Sequence, residues 1–173
     1  MGRIRVLKER DLEAINKIYD EGYAEAGRDP LFGDYVKLKK PTKKEKEEVS
    51  QRIMSDVRKK NCIFIVAEED GGVVGFAFVK KRDMPDSELS HVGVLGVRVS
   101  KDWRGNGIGT QLIKEALKLS ERKFEIVEAS VLGFNDGAKR LYKRFGFKRW
   151  GTAPRFMKRG RRHVDMEYLY LDL

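Results

Sequence analysis

The 173-residue sequence predicts one domain with an α+β fold, a three-layer α/β/α arrangement around a single mixed, mostly antiparallel sheet. Three observations support this prediction. Runs rich in β-formers alternate with amphipathic helical runs in the order strand, two helices, hairpin, strand, helix, strand, helix, strand, strand. Short connections make most neighbouring strands antiparallel, whereas a helical crossover makes one pair parallel. Because only one strand–helix–strand unit is present, a doubly wound fold is not expected.

The first third of the chain is predicted to contribute one strand and two helices. Residues 4–7 have the pattern of a short strand, and Asp11 is interpreted as the N-cap of the first helix. Thr42 is interpreted as the N-cap of a second helix that ends at Lys59. Residues 27–41 between these helices are rich in turn formers. Two aromatic residues of this loop are interpreted as cover for the core, with a substrate site as the alternative: Phe32 and Tyr35.

The next segment is predicted to be a β-hairpin. Residues 62–67 and 73–79 are rich in β-branched and aromatic side chains, and the polar, glycine-containing stretch between them favours a tight turn. Cys62 is the only cysteine and has no catalytic partner near it in sequence, so we interpret it as a buried structural thiol. A single cysteine excludes an internal disulfide, and with only two histidines we expect no metal site.

The chain is organised around a strand, a glycine-rich loop and a helix. Residues 89–99 have the pattern of a strand, and the residues after Thr110 have the apolar spacing of a helix. Between them lie Gly105, Gly107 and Gly109. The first turn of a helix has unpaired N–H groups that attract phosphate, and glycine adopts backbone conformations that other residues avoid. This order therefore predicts an anion site.

Two other phosphate-binding loops do not fit these residues. A P-loop requires a lysine directly after its last glycine, and none follows Gly109. A dinucleotide-binding fingerprint requires a third glycine at the position where this chain has Thr110. A P-loop is therefore excluded, and a dinucleotide-binding loop fits these residues poorly.

The last third of the chain is predicted to add three strands and one helix. Residues 126–132 have the pattern of a strand parallel to the one before the central helix. Asn135 begins a helix that ends near Gly146. Residues 147–151 and 164–172 are predicted strands on either side of a basic loop, residues 155–162. The apolar stripe of the helix is Ala138, Leu141, Tyr142 and Phe145.

The chain is strongly basic, with a formal net charge of +10, which is typical of a protein with an anionic partner or of a well-solvated surface. Residues 158–162 form a basic cluster, so a nucleic-acid-binding module is an alternative hypothesis, although no RNA-recognition, helix-turn-helix or zinc-finger pattern is present. No apolar run approaches the ~20 residues of a membrane span, and the charged N-terminus does not resemble a signal peptide. We expect a cytoplasmic protein.

Two motifs resemble those of the GCN5-related N-acetyltransferase (GNAT) family. Residues 104–109 read R-G-N-G-I-G and resemble the family's acyl-CoA-binding loop. About thirty residues later, an asparagine ends a strand, and the following helix carries A-x-x-L-Y-x-x-x-G-F, which is similar to the family's second signature. The residues of this second motif are Asn135, Ala138, Leu141, Tyr142, Gly146 and Phe147. The resemblance covers residues 62–147 well and the first helices loosely.

The resemblance implies transfer of the acetyl group of acetyl-CoA to an amine, by direct attack within a ternary complex. It also implies that the two parallel strands splay apart at the cofactor site. A β-bulge near residues 93–96 would help this splay, and close packing of the two glycines there is the alternative. The residues that the resemblance assigns to the cofactor are Val97, Arg98, Val99, Arg104, Gly105, Asn106, Gly107, Ile108, Gly109, Thr110, Asn135, Tyr142 and Lys143. Among them, Arg104 is expected to neutralise phosphate.

The resemblance places Tyr142 beside the thioester sulfur, where its hydroxyl stabilises the leaving thiolate. Some relatives carry a glutamate base thirteen positions before the loop arginine, and that position is His91 here, with Glu88 as the second candidate. The alternatives are an ordinary strand residue for His91 and a core aromatic for Tyr142. A base matters most for a lysine acceptor, because deprotonation at pH 7 costs about 4–5 kcal/mol, against about 1 kcal/mol for an α-amine.

The sequence leaves the acceptor amine open. A protein N-terminus, a lysine, a polyamine, an amino acid and a drug are all candidates. A domain that binds CoA as a sensor without catalysis is a further alternative, and a homodimer is compatible with the sequence. For the enzyme we expect acetyl-CoA and an amine as partners, and neither a metal, a nucleic acid nor a membrane.

Overall fold

The computed structural model describes residues 2–28, 40–82 and 87–173, which form one seven-stranded sheet in the order β1-β2-β3-β4-β5-β7-β6. The strands are β1 (Arg3–Val6), β2 (Cys62–Glu69), β3 (Gly72–Lys81), β4 (Val92–Val99), β5 (Ile126–Leu132), β6 (Lys148–Arg159) and β7 (Arg162–Asp172). The helices are α1 (Leu12–Arg28), α2 (Lys43–Arg58), α3 (Ile108–Ser120) and α4 (Asp136–Arg144). Only β4 and β5 pair in parallel. The predicted α+β fold is confirmed. The predicted loop aromatics, Phe32 and Tyr35, lie outside the described residues.

Helices cover both faces of the sheet. On one face, Leu112 and Ile113 of α3 are completely buried in a core that also includes residues of α4. On the other face, Ile15 of α1 is buried in a second core together with Phe64 and Phe76 of the sheet. Full burial of such a side chain contributes about 1.5–3 kcal/mol. The sheet therefore separates α3 and α4 from α1 and α2. An opening between two strands would connect the α3 side of the sheet with the α1 side.

Local signals explain several of the element boundaries. The Thr42 hydroxyl accepts from the Glu45 N–H at 3.3 Å, and the Glu45 carboxylate accepts from the Thr42 N–H at 2.7 Å, so α2 begins with the predicted cap. The β2–β3 turn has positive φ at Asp70 (48°) and Gly71 (77°), the combination that a tight hairpin requires. The predicted hairpin is confirmed.

Two predicted boundaries are wrong. Strand β4 begins at Val92 rather than at residue 89, because Ser87–Leu89 form a 3-10 turn. The basic segment 155–162 is not a loop, since β6 continues to Arg159 and turns at Gly160 (φ 57°) into β7. Strand β6 is an edge strand of the sheet, where charged side chains remain in solvent and do not oppose strand formation.

Asp11 does not have the predicted role of a helix cap. Its side chain is 4% exposed, accepts from the backbone N–H of Lys8 at 2.8 Å and binds the Arg5 guanidinium at 2.6 and 2.9 Å. Arg5 also contacts Glu68 of β2, so this cluster joins the start of α1 to the sheet. The hydrogen bonds from Arg5 hold the pKa of the Asp11 carboxyl below its ordinary value.

Replacing Asp11 with Asn is expected to lower the free energy of unfolding by about 2–3 kcal/mol at pH 7, because Arg5 loses a buried partner. The folded-state pKa of Asp11 is depressed, so its contribution is present above the unfolded-state pKa of about 3.9 and disappears as the pH falls through the lower folded-state value. Urea denaturation of both proteins should therefore show a difference at pH 7 that shrinks below about pH 4. A difference that does not change with pH would contradict this origin.

Cys62 lies where β2 begins and is buried, as predicted. Burial raises the pKa of its thiol to about 12, so the thiolate is not populated near neutral pH. The side chain behaves as a small apolar core residue.

Candidate active site

A cleft of about 760 Å³ opens through the sheet between β4 and β5. These strands are paired at Val92↔Ile126, Gly93↔Val127 and Val94↔Glu128, and beyond Val94 they separate. The C-terminal halves of both strands therefore have no partner across the gap. This is the splay that the family resemblance implies.

The two glycines of β4 allow close packing and do not form a bulge. The register of β3 with β4 continues without interruption from Gly75↔Val99 to Lys81↔Gly93. A Cβ at Gly93 would lie 2.5 Å from the side chain of Val79, and one at Gly96 would lie 2.3 Å from the ring of Phe78. The expected β-bulge is therefore wrong, and the packing alternative is confirmed.

The glycine loop leads directly into α3. Gly105 and Gly107 have positive φ, 81° and 78°, and Gly107 is the N-cap of the helix. Gly107 contributes no side chain to the cap, and the first helical hydrogen bond is donated by Gln111 to the Gly107 carbonyl. The N–H groups of the first turn, Ile108 to Thr110, thus precede the helical hydrogen bonds and carry the positive end of the helix dipole. Their arrangement fits a phosphate group.

Arg104, which is predicted to neutralise phosphate, lines the cleft and forms an ion pair with α1. Its guanidinium forms two hydrogen bonds with the Glu25 carboxylate, at 2.8 and 2.7 Å, and its Nε donates to the Val99 carbonyl at 3.0 Å. One turn earlier on α1, Glu21 accepts from the Ser100 hydroxyl at 2.8 Å and from the Lys101 N–H at 3.1 Å. Two carboxylates of α1 therefore fix the segment that connects β4 to the glycine loop.

Helix α4 forms one wall of the cleft. Asn135 is its N-cap, and the side-chain oxygen accepts from the Ala138 N–H at 3.0 Å. Asn135, Ala138 and Tyr142 all line the cleft from this helix. Tyr142 is 6% exposed, and its ring contacts Phe147 edge-on at a centroid distance of 5.3 Å. The cap predicted for Asn135 is therefore present. Lys143, a predicted cofactor residue, is exposed on the same helix.

Strand alternation divides the cleft into two halves. Val97 and Val99 face α3 and pack against the core of that side. Arg98 points to the opposite face, where its guanidinium lies 4.4 Å from the centroid of the Tyr19 ring on α1. Arg98 was predicted with the cofactor residues, but its side chain belongs to the α1 half of the cleft.

The predicted bases do not line the cleft. His91 precedes β4, and its carbonyl accepts from the N–H groups of Glu125 and Ile126, at the end where β4 and β5 are still paired. Glu88 lies in the preceding 3-10 turn. Within the described part of the chain, the residues that line the cleft include no His, Asp, Glu or Lys. A base role for His91 or Glu88 therefore remains a prediction that the cleft geometry does not support.

The sequence predicts an acceptor pocket formed by residues 27–41 and the terminal hairpin, but it singles out no residue of the hairpin. Tyr19 has the apolar spacing of a core residue on its helix and is not predicted as a site residue. The structure brings Tyr19, Phe156 and Tyr168 to the cleft together with Arg98. No motif joins these four residues, which come from three separate parts of the chain, so only the folded arrangement reveals them.

The described ranges offer no group of three His, Cys, Asp or Glu side chains that could hold a metal ion. In the same ranges, no helix has both the length and the apolar character needed to cross a membrane.

The chain is similar in sequence or in structure to several N-acetyltransferases. The L-amino acid N-acetyltransferase AaaT of Escherichia coli is 29% identical over 107 residues, which are 61% of this chain and 65% of that protein, just under two thirds of its length. The crystal structure of a ribosomal-protein-alanine N-acetyltransferase from Brucella melitensis has a TM-score of 0.81 and 27% identity, and 99% of each chain is covered. A phosphinothricin acetyltransferase of the GNAT superfamily from Sinorhizobium meliloti, solved in complex with AcCoA, has a TM-score of 0.84 at 20% identity, with 99% of this chain and 88% of that chain covered.

The model of the acetyltransferase (GNAT) family matches residues 17–147, which is more than half of the chain. This range contains the glycine loop, and it also contains the splayed strands and helix α4, which line much of the cleft. The fold predicted from the sequence is therefore confirmed, and the chain belongs to the acetyltransferase (GNAT) family.

Proposed function

We propose that this protein transfers the acetyl group of acetyl-CoA to an α-amine, either of a free amino acid or of a peptide, by direct attack within a ternary complex. The observation that carries the proposal is the cleft between β4 and β5, which is lined by residues of both faces of the sheet. Acetyl-CoA occupies the half formed by α3 and α4, and the amine approaches from the α1 half. The two reactants then meet within the gap.

The glycine loop and β4 hold the cofactor in this proposal. The N–H groups of residues 108–110 bind the pyrophosphate, since they precede the first helical hydrogen bond of α3. The splayed part of β4, at Val97 and Val99, has backbone groups on the side that β5 leaves unpaired. The Val99 carbonyl accepts from Arg104, and the other groups of these two residues pair with the amide-containing pantetheine arm. Glu25 and Arg104 act as positioning residues, because their ion pair fixes the start of the loop.

Tyr142 acts on the sulfur. As the amine nitrogen forms its bond to the carbonyl carbon, the carbon–sulfur bond breaks and negative charge develops on the sulfur. The Tyr142 hydroxyl donates a hydrogen bond to this thiolate and relays a proton to it, while the amine nitrogen loses a proton to solvent. The site is suited to this step because Tyr142 is nearly buried at the wall of the cleft.

The described lining of the cleft has no carboxylate or histidine base, which favours an α-amine acceptor over a lysine side chain. At pH 7, deprotonation of a lysine ammonium costs about 4–5 kcal/mol, whereas that of an α-ammonium of a peptide costs about 1 kcal/mol. No described residue of the cleft is a carboxylate or a histidine that could act as the base. An amine that is already partly neutral needs the least help, and the names of two relatives, for an L-amino acid and a ribosomal-protein alanine, agree with this choice.

An acceptor panel tests the proposal. With acetyl-CoA fixed and free thiol release followed, amino acids and dipeptides with a free N-terminus are expected to have kcat/KM at least about tenfold above Nα-acetyl-lysine and spermidine. The reaction without acceptor gives the hydrolysis background. A preference for Nα-acetyl-lysine or spermidine would overturn the α-amine assignment.

A further inference from the structure

Three aromatic side chains cluster on the terminal hairpin at the mouth of the α1 half of the cleft. The ring of Tyr168 on β7 lies 5.5 Å from that of Trp150 and 6.3 Å from that of Phe156, both on β6. Trp150 is 57% exposed and Phe156 is 52% exposed, so neither belongs to the core. Phe156 and Tyr168 line the cleft, and Trp150 lies against Tyr168.

Both exposed aromatics occupy irregularities in the pairing of β6 with β7. The register passes from Arg149↔Leu169 to Gly151↔Tyr168, which leaves Trp150 as an extra residue. It then passes from Ala153↔Met166 to Met157↔Val164, so that residues 154–156 face a single residue of β7. Bulges redirect side chains and frequently lie next to active sites. Here both bulges direct an aromatic ring to Tyr168.

The second bulge is held in place by a specific contact. Arg155 has a positive φ of 53°, a conformation that non-glycine residues rarely adopt. Its N–H donates to the carboxylate of Asp165, the residue of β7 that faces the bulge, at 2.7 Å. This contact fixes the backbone immediately before Phe156. Asp165 is therefore a positioning residue for the Phe156 ring.

We propose that Phe156 and Tyr168, supported by Trp150, form an acceptor subsite that takes a large apolar side chain next to the reacting α-amine. This inference rests on the proposed function. The opposite wall contains Tyr19 with Arg98 over its ring, so the described lining is aromatic and positively charged and favours an acceptor without a cationic side chain. The preferred acceptor is an α-amine attached to an aromatic or branched aliphatic residue.

The test compares acceptors in the wild-type enzyme and in Phe156→Ala. The wild type is expected to prefer phenylalanine and leucine over glycine and lysine, with the dipeptide Phe-Ala distinguishing a peptide from a free amino acid. In Phe156→Ala the loss of kcat/KM for phenylalanine should exceed the loss for glycine by about tenfold, mainly through KM. Leu119→Ala is the matched control, because it removes an apolar side chain of 40% exposure on α3 that does not line the cleft.

Two substitutions of Asp165 test the subsite independently. Asp165→Ala is expected to cause the same selective rise in KM for phenylalanine, whereas Asp165→Asn, whose amide oxygen can still accept from Arg155, should restore the wild-type selectivity. Equal losses for phenylalanine and glycine in Phe156→Ala would overturn the subsite. A change in oligomeric state by size-exclusion chromatography with unchanged selectivity would also overturn it and would assign the aromatic cluster to contacts between copies.

The choice of acceptor distinguishes a failure of the proposed function from a failure of the subsite. If the wild type acetylates lysine side chains or polyamines and no α-amine, the proposed function is wrong. If it acetylates α-amines but prefers glycine to phenylalanine, the proposed function stands and the subsite alone is wrong.

Discussion

A Tyr142→Phe enzyme is expected to lose about 100-fold in kcat, while its KM for acetyl-CoA changes less than about twofold. The hydroxyl is the only group that this substitution removes. The ring of Tyr142 is 6% exposed and packs against Phe147, and a phenylalanine ring preserves that contact. A hydrogen bond to a charge that develops only in the transition state affects kcat and leaves ground-state binding nearly unchanged. Steady-state kinetics with a saturating acceptor measure both constants.

Tyr170→Phe is the matched control for this substitution. Tyr170 lies on β7, is partly buried and does not line the cleft, so the loss of its hydroxyl should leave kcat unchanged. Both variants should have nearly the melting temperature of the wild type. Full kcat in Tyr142→Phe would show that the hydroxyl has no part in catalysis and would return Tyr142 to the alternative of a core aromatic.

Gly107→Val is expected to weaken acetyl-CoA binding by about 100-fold or more. A β-branched residue is strongly disfavoured at the φ of 78° that Gly107 adopts as the N-cap of α3. Space is not the obstacle, because a Cβ at this position would meet no atom within 4 Å. The backbone must rearrange instead, and the first-turn N–H groups then no longer converge on the phosphate. Loss of two charge-assisted hydrogen bonds, each about 1.5–3 kcal/mol, accounts for a change of this size.

Gly71→Val separates this effect from a general loss of stability. Gly71 has nearly the same φ, 77°, and likewise no atom within 4 Å of a Cβ, but it lies in the β2–β3 turn and does not cap α3. Both substitutions should lower the melting temperature by similar amounts. Isothermal titration with acetyl-CoA should show normal affinity only for Gly71→Val. Equal affinities in the two variants would contradict a role for the glycine loop in binding.

The parts of the fold that follow from neighbouring residues could be predicted from the sequence. The Thr42–Glu45 cap and the Asp70–Gly71 turn each depend on residues that are at most three positions apart. The glycine loop is similar, because the positive φ at Gly107 strongly favours glycine through local backbone sterics. Strand, loop and helix then occur in the order that the family signature specifies.

The parts that depend on distant residues could not be predicted. Arg104 is predicted as a phosphate ligand, and its ion pair with Glu25, 79 residues earlier in the chain, could not be predicted from the sequence. The base prediction for His91 relied on counting back from the loop, and the strand begins after His91 in this chain. The position of Phe156 depends on a bulge between β6 and β7, whose register no alternation of apolar residues reveals.

A crystal structure with bound CoA tests the central claim most directly. We expect the pyrophosphate oxygens within about 3.2 Å of the N–H groups of residues 108–110, and the sulfur within hydrogen-bonding reach of the Tyr142 hydroxyl between the separated ends of β4 and β5. CoA bound elsewhere on the protein, or bound here with its sulfur on the far side of the sheet from Tyr142, would contradict the account.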